Sequence, residues 1–335
     1  MRFLERAWYN KAPWLWLLWP VSLLFLLLVK IRALRSAGSH SSGHAIPIIV
    51  VGNITVGGTG KTPLIIALCN HLKQLGMSPG IISRGYGGNA NSYPMDVDSD
   101  SNPAMAGDEP VLIARKTGCP VVVDPDRVSA LNHLVADRKI DVVLSDDGMQ
   151  HYRLRRDIEI AVVDGQRYFG NGLLLPAGPL REPVSRLHKC DFVVINQSVG
   201  QASSDAEAGV PNTAVDMHMK AVALTNLSTG EKRPFSGAPF NIGNKVQAVA
   251  AIGNPQRFFD SLTTLPYPFV AYPFPDHHLF QPGDFDRFDS RQPIVMTEKD
   301  GIKCQDFASA NMWCVEIDVS LPEPLLSGIE AKLKR

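Results

Sequence analysis

The sequence predicts an α/β fold: a parallel sheet covered by helices on both faces, a smaller second α/β unit after it, and an apolar helix ahead of both. Three observations predict it. Short β-branched runs without polar alternation recur between helix-length stretches, the pattern of strands buried on both faces of a parallel sheet. The 335 residues exceed the roughly 250–300 at which a single core stops growing, so two units are expected. Four of the five tryptophans, Trp8, Trp14, Trp16 and Trp19, stand within the first nineteen residues beside the leucine-rich run 23–29, which sets the N-terminus apart.

Eighteen uncharged residues separate Lys11 from Lys30. As a helix rising about 1.5 Å per residue they measure about 27 Å, close to the ~30 Å hydrocarbon core of a bilayer, and Pro20 is expected to interrupt or kink them. Arg2, Arg6 and Lys11 flank the run on one side and Lys30, Arg32 and Arg35 on the other. Tryptophan and basic residues favour the headgroup level, so residues 1–35 read as a membrane anchor. The even split of basic residues leaves spanning and in-plane insertion both open. A buried core helix or a cleaved signal peptide would share the apolar pattern; against the signal peptide, the next motif needs a nucleotide that space outside the cytoplasm does not supply.

A small-residue linker at 36–45 leads into the first unit, 36–213. Its strands are expected at 46–53, 80–83, 120–124, 141–145, 158–164 and 192–196, with helices at 61–75, 109–116, 127–137 and 183–189. Ser, Ala, Gly and Pro at 200–213 mark an exposed boundary, and Gly and Pro at 229–243 suggest a hairpin connection. The second unit, 214–335, should place strands at 246–251, 269–273, 294–297 and 312–319 and a helix from Pro255.

Lys+Arg and Asp+Glu both number 33, so the chain has no general attraction for nucleic acid, and any anion must be met locally. The five cysteines are scattered without a C-x-x-C pair, which argues against a disulfide framework or a zinc site and for a reducing cytosol. No protein partner is indicated.

The chemistry begins at the end of the first strand. Gly52-Asn53-Ile54-Thr55-Val56-Gly57-Gly58-Thr59-Gly60-Lys61-Thr62 is a glycine-rich loop between a strand and a helix start, as a phosphate-binding P-loop requires. Thr55, Val56, Gly57, Gly58, Thr59 and Gly60 would surround phosphate oxygens, Lys61 would neutralise β/γ charge, and Thr62 would offer its hydroxyl to Mg²⁺. Thr55 stands where the strict pattern has glycine. The run 141–147 ends in Asp146 and Asp147 at a strand's C-terminal edge, where a second metal-side carboxylate belongs. Asp96, Asp98 and Asp100 do not complete a calcium loop, because Ser101 and Gly107 occupy its glycine and glutamate positions, and a solvated loop is expected.

Eight short motifs in series resemble the tetraacyldisaccharide 4′-kinases of lipid A synthesis. They are Gly52-Asn53 with Gly57 to Pro63, Ser83-Arg84-Gly85-Tyr86-Gly87, Gly107-Asp108-Glu109-Pro110, Asp146-Asp147-Gly148-Met149-Gln150-His151, Gly178-Pro179-Leu180-Arg181-Glu182, Asn254-Pro255 with Arg257-Phe258, Asp276-His277-His278, and Thr297-Glu298-Lys299-Asp300. The resemblance implies a P-loop NTPase-like domain joined to a smaller α/β domain with the site between them. It also implies transfer of the ATP γ-phosphoryl group to the 4′-hydroxyl of a tetraacylated glucosamine disaccharide 1-phosphate at the cytoplasmic face of the inner membrane.

On that resemblance Asp108 is the catalytic base with His277 as the partner that tunes it, and Arg181 stabilises γ-phosphate charge. Glu109 and Asp146 join Thr62 on the metal side, with Asp147 beside them. Arg84, Tyr86 and Arg127 become candidates for the substrate headgroup or its phosphate, with a structural role equally open; Gln150 and His151 line the same cleft, and Asn254 falls near the domain interface without a role. An aspartate of ordinary pKa is a weak base for an alcohol, so a neighbouring histidine is chemically sensible. The P-loop, acids and anchor alone would also serve a membrane-recruited ATPase switch, which would need neither the Asp108 and His277 pair nor a second unit closing over a sugar. A tethered scaffold with a dead P-loop is disfavoured by Lys61, Thr62 and Asp146.

Overall fold

The computed structural model describes residues 2–36, 45–197, 209–241 and 243–334. Most of the expected linker (37–44) and part of the expected boundary (200–208) lie outside the described residues.

The N-terminal apolar stretch divides where proline directs. A short α1 (Arg2–Tyr9) is followed by a 3₁₀ turn (Pro13–Leu18) and α2 (Trp19–Ser36). Pro20 therefore sits in the first turn of α2, where its missing N–H has no partner to lose, and the expected mid-helix kink does not occur. Only 11% of the window Pro13–Arg32 is buried, so it is not a core helix. The segment before it behaves differently. Ala7, Trp8 and Leu15 are buried together with Val56 and Leu175 of the first unit, and Trp8 Nε1 donates to the Pro176 carbonyl at 3.0 Å. The N-terminus is thus docked by its first turns and by buried Ser22 of α2, which donates to the Leu174 carbonyl at 2.9 Å, while the leucine-rich remainder of α2 faces solvent.

The first unit follows the β-branched runs closely. Its parallel strands are β1 (Ile48–Gly52), β2 (Pro79–Ser83), β4 (Val121–Val123), β5 (Val142–Asp146), β6 (Ile158–Asp164) and β7 (Phe192–Gln197). Helices α3 (Lys61–Gln74), α5 (Asp108–Thr117) and α6 (Arg127–Ala136) cover its two faces in separate apolar clusters. Strand β6 is buried at every position, its two acids included: Glu159 is paired with Arg156 at 2.6 Å and Arg186 at 2.5 Å, and Asp164 with Arg167 at 2.8 Å. The 183–189 segment is a 3₁₀ turn (Val184–Lys189) rather than an α-helix.

The acidic stretch expected to be a solvated loop begins in an edge strand. β3 (Met95–Val97) pairs antiparallel with β4, and Asp96 is held by His133 at 3.0 Å and Arg138 at 2.8 Å. After it, α4 (Pro103–Ala106) is capped by Asn102.

The second unit enters through β8 (Val215–Asn226), which the sequence reading did not mark because its exposed face carries His218 and Lys220. β8 pairs parallel with β7 and antiparallel with β13 (Met312–Ser320), so among the described residues both units share one thirteen-stranded sheet. The hairpin expected at 229–243 is the return of β9 (Lys232–Pro234) along β8. Beyond it come β10 (Val246–Ala250), α7 (Pro255–Leu262), β11 (Phe269–Pro273), β12 (Ile294–Thr297) and α8 (Glu298–Lys303), packed into two further clusters. The chain then crosses back. α9 (Glu323–Leu333) buries Leu325 and Ile329 against the first unit and pairs Glu330 with His71 at 3.0 Å, so 214–335 is not wholly a separate body.

Candidate active site

At the C-terminal edge of β1 the chain turns through a loop whose carbonyls are tied outward. Buried Asn53 donates through Nδ2 to the carbonyl oxygens of Thr55 (2.9 Å) and Gly57 (3.4 Å), and Asn196 Nδ2 donates to that of Thr59 (2.9 Å). Gly60 has φ 99°, and a Cβ there would stand 2.4 Å from Asn196 Nδ2, so only glycine closes the loop. Among the described residues none of the amides of Gly57 to Gly60 donates to a backbone carbonyl, which leaves N–H groups at the start of α3 for an anion. Val56 sits differently from expectation. Its amide donates to the Pro179 carbonyl at 2.9 Å and its side chain packs with Trp8 and Leu15, while Thr55 bridges to Leu180. Both form the base of the loop rather than its mouth. Lys61 Nζ lies 3.2 Å from Asn53 Oδ1 and 3.4 Å from Asp147 Oδ1.

The two acids ending β5 are pushed apart electrostatically. Asp146 accepts from Ser83 Oγ at 3.0 Å through Oδ2, while its buried Oδ1 has no partner among the described residues. Burial first, and then the charge of Glu109, raise its pKa to about 7. Burial acts on Asp147 in the same sense, but Lys61 and Arg181, the latter at 3.1 Å, overcome it and hold the group well below the carboxylate range. Asp147 also carries φ 48°, a conformation that costs free energy and that its ion pairs sustain.

These residues fit a magnesium ion. A buried carboxylate oxygen without a partner, a second carboxylate whose charge is felt by the first, and the Thr62 hydroxyl supply hard oxygen donors.

Across the cleft the second unit delivers His277. Its Nδ1 lies 3.1 and 3.2 Å from the two oxygens of Asp108, the first residue of α5. Gly107, with φ 92° and room for no Cβ (2.8 Å to the Tyr86 carbonyl), aims Asp108 into the cleft, and His277 itself has φ 58°. Two lysines of α8 complete the group. Lys299 Nζ is 3.0 Å from Glu109, 3.8 Å from Asp108 and 3.5 Å from His277 Nε2, and Lys303 Nζ is 2.7 Å from Asp300 and 3.7 Å from Asp108. Burial would raise the Asp108 pKa; the charge of Lys299 and the hydrogen bond of His277 outweigh it and lower it.

Arg181 donates to Asp147 and to Gln150 Oε1 (3.4 Å), and Gln150 Nε2 donates to Asn53 O (3.1 Å) and Glu182 (2.7 Å), so both lie at the P-loop. Tyr86 is exposed and meets the His277 ring edge-on at 4.8 Å, and Arg84 beside it is exposed. His151 is half-buried, with burial and then Arg127 lowering its pKa to about 4. Arg127 departs from the expectation of a substrate contact. It is fully buried and donates to the carbonyls of Asp124 (2.9 Å) and Asp146 (3.1 Å), so here it braces the end of β5. Asn254 donates to Asp164 at 3.2 Å, which places it between the units as expected.

Asn53, Ser83, Glu182, Lys299 and Lys303 are site neighbours to which the sequence reading gave no role. All but Lys303 lie inside quoted motifs, so position beside an assigned residue was the available signal.

A sequence model of the family described as "Tetraacyldisaccharide-1-P 4'-kinase" matches residues 14–334. Among relatives named tetraacyldisaccharide 4'-kinase, that of Nitrosococcus oceani is 49% identical over 95% of this chain and 90% of its own length. That of Hahella chejuensis is 44% identical over 99% and 96%. The crystal structure of LpxK from Aquifex aeolicus in complex with ATP superposes with a TM-score of 0.75 at 27% identity, covering 94% of this chain and 98% of that one. With sequence and fold matching almost from end to end, and with the Asp108 and His277 pair facing a P-loop, the chain belongs to the tetraacyldisaccharide 4'-kinase family.

Proposed function

We propose that the chain transfers the γ-phosphoryl group of ATP to the 4′-hydroxyl of a tetraacylated glucosamine disaccharide 1-phosphate, and that the cleft between P-loop and His277 is where it does so. The observation that carries the assignment is the 3.1 Å contact between Asp108 and His277, supplied by two different units on opposite sides of one cleft. The free amides of the loop and Lys61 receive the triphosphate. Thr62, Asp146, Glu109 and Asp147 would hold magnesium, which would supply positive charge against the triphosphate. Asp108 accepts the proton of the attacking hydroxyl while His277 fixes its orientation. A carboxylate held low by Lys299 is a weak base, and a loose transition state makes a small demand on it, because the hydroxyl acidifies only as the new bond forms. Arg181 stabilises charge on the transferred group. Arg84, Tyr86, Gln150 and His151 meet the acceptor, with Arg127 acting through Asp146.

The exposed apolar face of α2, including Leu23, Leu24, Leu27 and Leu28, supports a seat in the bilayer that holds the acyl chains. We place the protein at the cytoplasmic face of the inner membrane, where ATP is available. Turnover of γ-labelled ATP with and without a detergent-dispersed disaccharide lipid acceptor tests the function. Labelled phosphate should appear on the acceptor, and ATP hydrolysis that is indifferent to acceptor would overturn the reading in favour of an ATPase switch.

A further inference from the structure

One arginine outside every motif touches four parts of the molecule at once. Arg167, in the turn after β6, pairs through Nε with buried Asp164 at 2.8 Å. Its Nη1 donates to Glu5 of α1 (3.2 Å) and to the Gly253 carbonyl of the second unit (3.1 Å), and its Nη2 donates to the Gly58 carbonyl of the P-loop (3.0 Å). The ring of Tyr9, at the end of α1, lies 5.1 Å from the guanidinium. The Gly253 backbone itself rests on the loop, since a Cβ there would come within 2.4 Å of the Gly58 amide. Asp164 is shared with Arg257 at 2.9 Å, which fixes the cluster to the start of α7.

The direction of the Gly58 contact gives it meaning. Across a trans peptide the carbonyl and the following N–H point opposite ways. A donor that grips the Gly58 carbonyl from outside therefore aims the Thr59 amide toward the loop's mouth, where a phosphate oxygen sits. Asn53, on the Gly57 carbonyl, and Asn196, on the Thr59 carbonyl, do the same for neighbouring peptides from within the first unit. Arg167 is the brace that also reaches α1 and the second unit.

We propose that Arg167 is a positioning residue of the phosphate loop, and that through it Glu5 of the N-terminal helix takes part in setting nucleotide affinity. The inference rests on the reading of the loop as a nucleotide site. It replaces the expectation that residues 1–35 serve only as an anchor, because α1 braces the loop while α2 supplies the apolar surface.

The test uses the full chain in detergent, a fluorescent ATP analogue with magnesium for the dissociation constant, and steady-state turnover with the dispersed lipid acceptor. Arg167→Ala should weaken nucleotide binding about tenfold, the scale of one lost charge-assisted hydrogen bond, with KM for the acceptor unchanged. Arg167→Lys keeps the charge over Asp164 but cannot reach diverging carbonyls with one ammonium, so most of that loss should persist. Glu5→Gln, at a partly exposed site where folding is not at stake, should weaken binding about twofold to threefold, as fits a partly exposed ion pair. Combined with Arg167→Ala it should add nothing further. A purely structural role would lower the melting midpoint and leave nucleotide affinity in place, and that result overturns the proposal. Independent, multiplying losses in the double variant would overturn the part given to α1. Failure of the unmodified chain to bind the nucleotide would instead overturn the reading of the loop.

Discussion

Replacing Asp108 by Asn separates catalysis from stability in a way the geometry makes quantitative. The carboxylate is 4% exposed and has His277 at 3.1 Å, Lys303 at 3.7 Å and Lys299 at 3.8 Å. Removing a buried charge normally costs about 3–5 kcal/mol when it orphans a partner. Here neither lysine is orphaned, because Lys303 keeps Asp300 at 2.7 Å and Lys299 keeps Glu109 at 3.0 Å. The stability loss should therefore stay near the ~1 kcal/mol of an ordinary replacement. Turnover should fall by about 10²–10⁴, equivalent to about 3–5 kcal/mol in the barrier, the range for a lost general base. His277→Ala removes the partner that orients the same carboxylate, so the double variant should cost little more than the worse single one. The assay is kcat at saturating ATP, magnesium and dispersed acceptor, with KM for ATP and a thermal melt beside it. Losses that multiply, or that appear only in KM for ATP, would refute the base assignment.

Lys61→Ala and Asp147→Asn should each reduce kcat by about 10² or more with the fold intact, because both hold charge where the triphosphate is redistributed; saturating kinetics and circular dichroism check this. A chain starting near residue 44 should partition less onto liposomes, and because Trp8 and Leu15 pack on Val56 it should also bind ATP more weakly even in detergent, as equilibrium dialysis would measure. The fold keeps His151 neutral down to about 4 while the unfolded chain protonates it near 6.5, so its share of stability is present above about 6.5 and is lost as pH falls toward 4. Melting midpoints across that window should therefore fall less steeply for His151→Gln than for the unmodified chain.

The strands of the first unit were legible because burial on both faces leaves them largely apolar and without period-2 alternation, and 158–164, despite its buried Glu159 and Asp164, matches its strand end for end. β8 was not, since one face is solvated and its strand character comes from pairing with β7 and β13, which are distant in sequence. The site divides the same way. The loop, Asp146, Asp108 and His277 announce themselves as short motifs, yet the lysines around Asp108 depend on α8 packing against α5 from 190 residues away. For Arg127 the sequence leaves substrate and structural roles both open, and only the fold shows it buried and serving carbonyls. Arg167 has no local signal at all: its partners Glu5, Gly58 and Gly253 meet only in three dimensions.

The return of α9 governs the order in which this chain can fold as it is made. Leu325 and Ile329 complete the cluster that also contains Leu64, Leu68 and Ile160, and the His71 to Glu330 contact closes over 259 residues. A nascent chain that has exposed the P-loop, and even the second unit as far as β13, still shows water an unfinished face of the first core. Such long-range closure is slow and leaves apolar surface open in the interval. An N-terminal half reading as an autonomous domain must therefore wait for α9 to leave the ribosome. Premature termination before α9 would thus act on the nucleotide-binding half, whose His71 stands 259 residues from its partner in the missing helix.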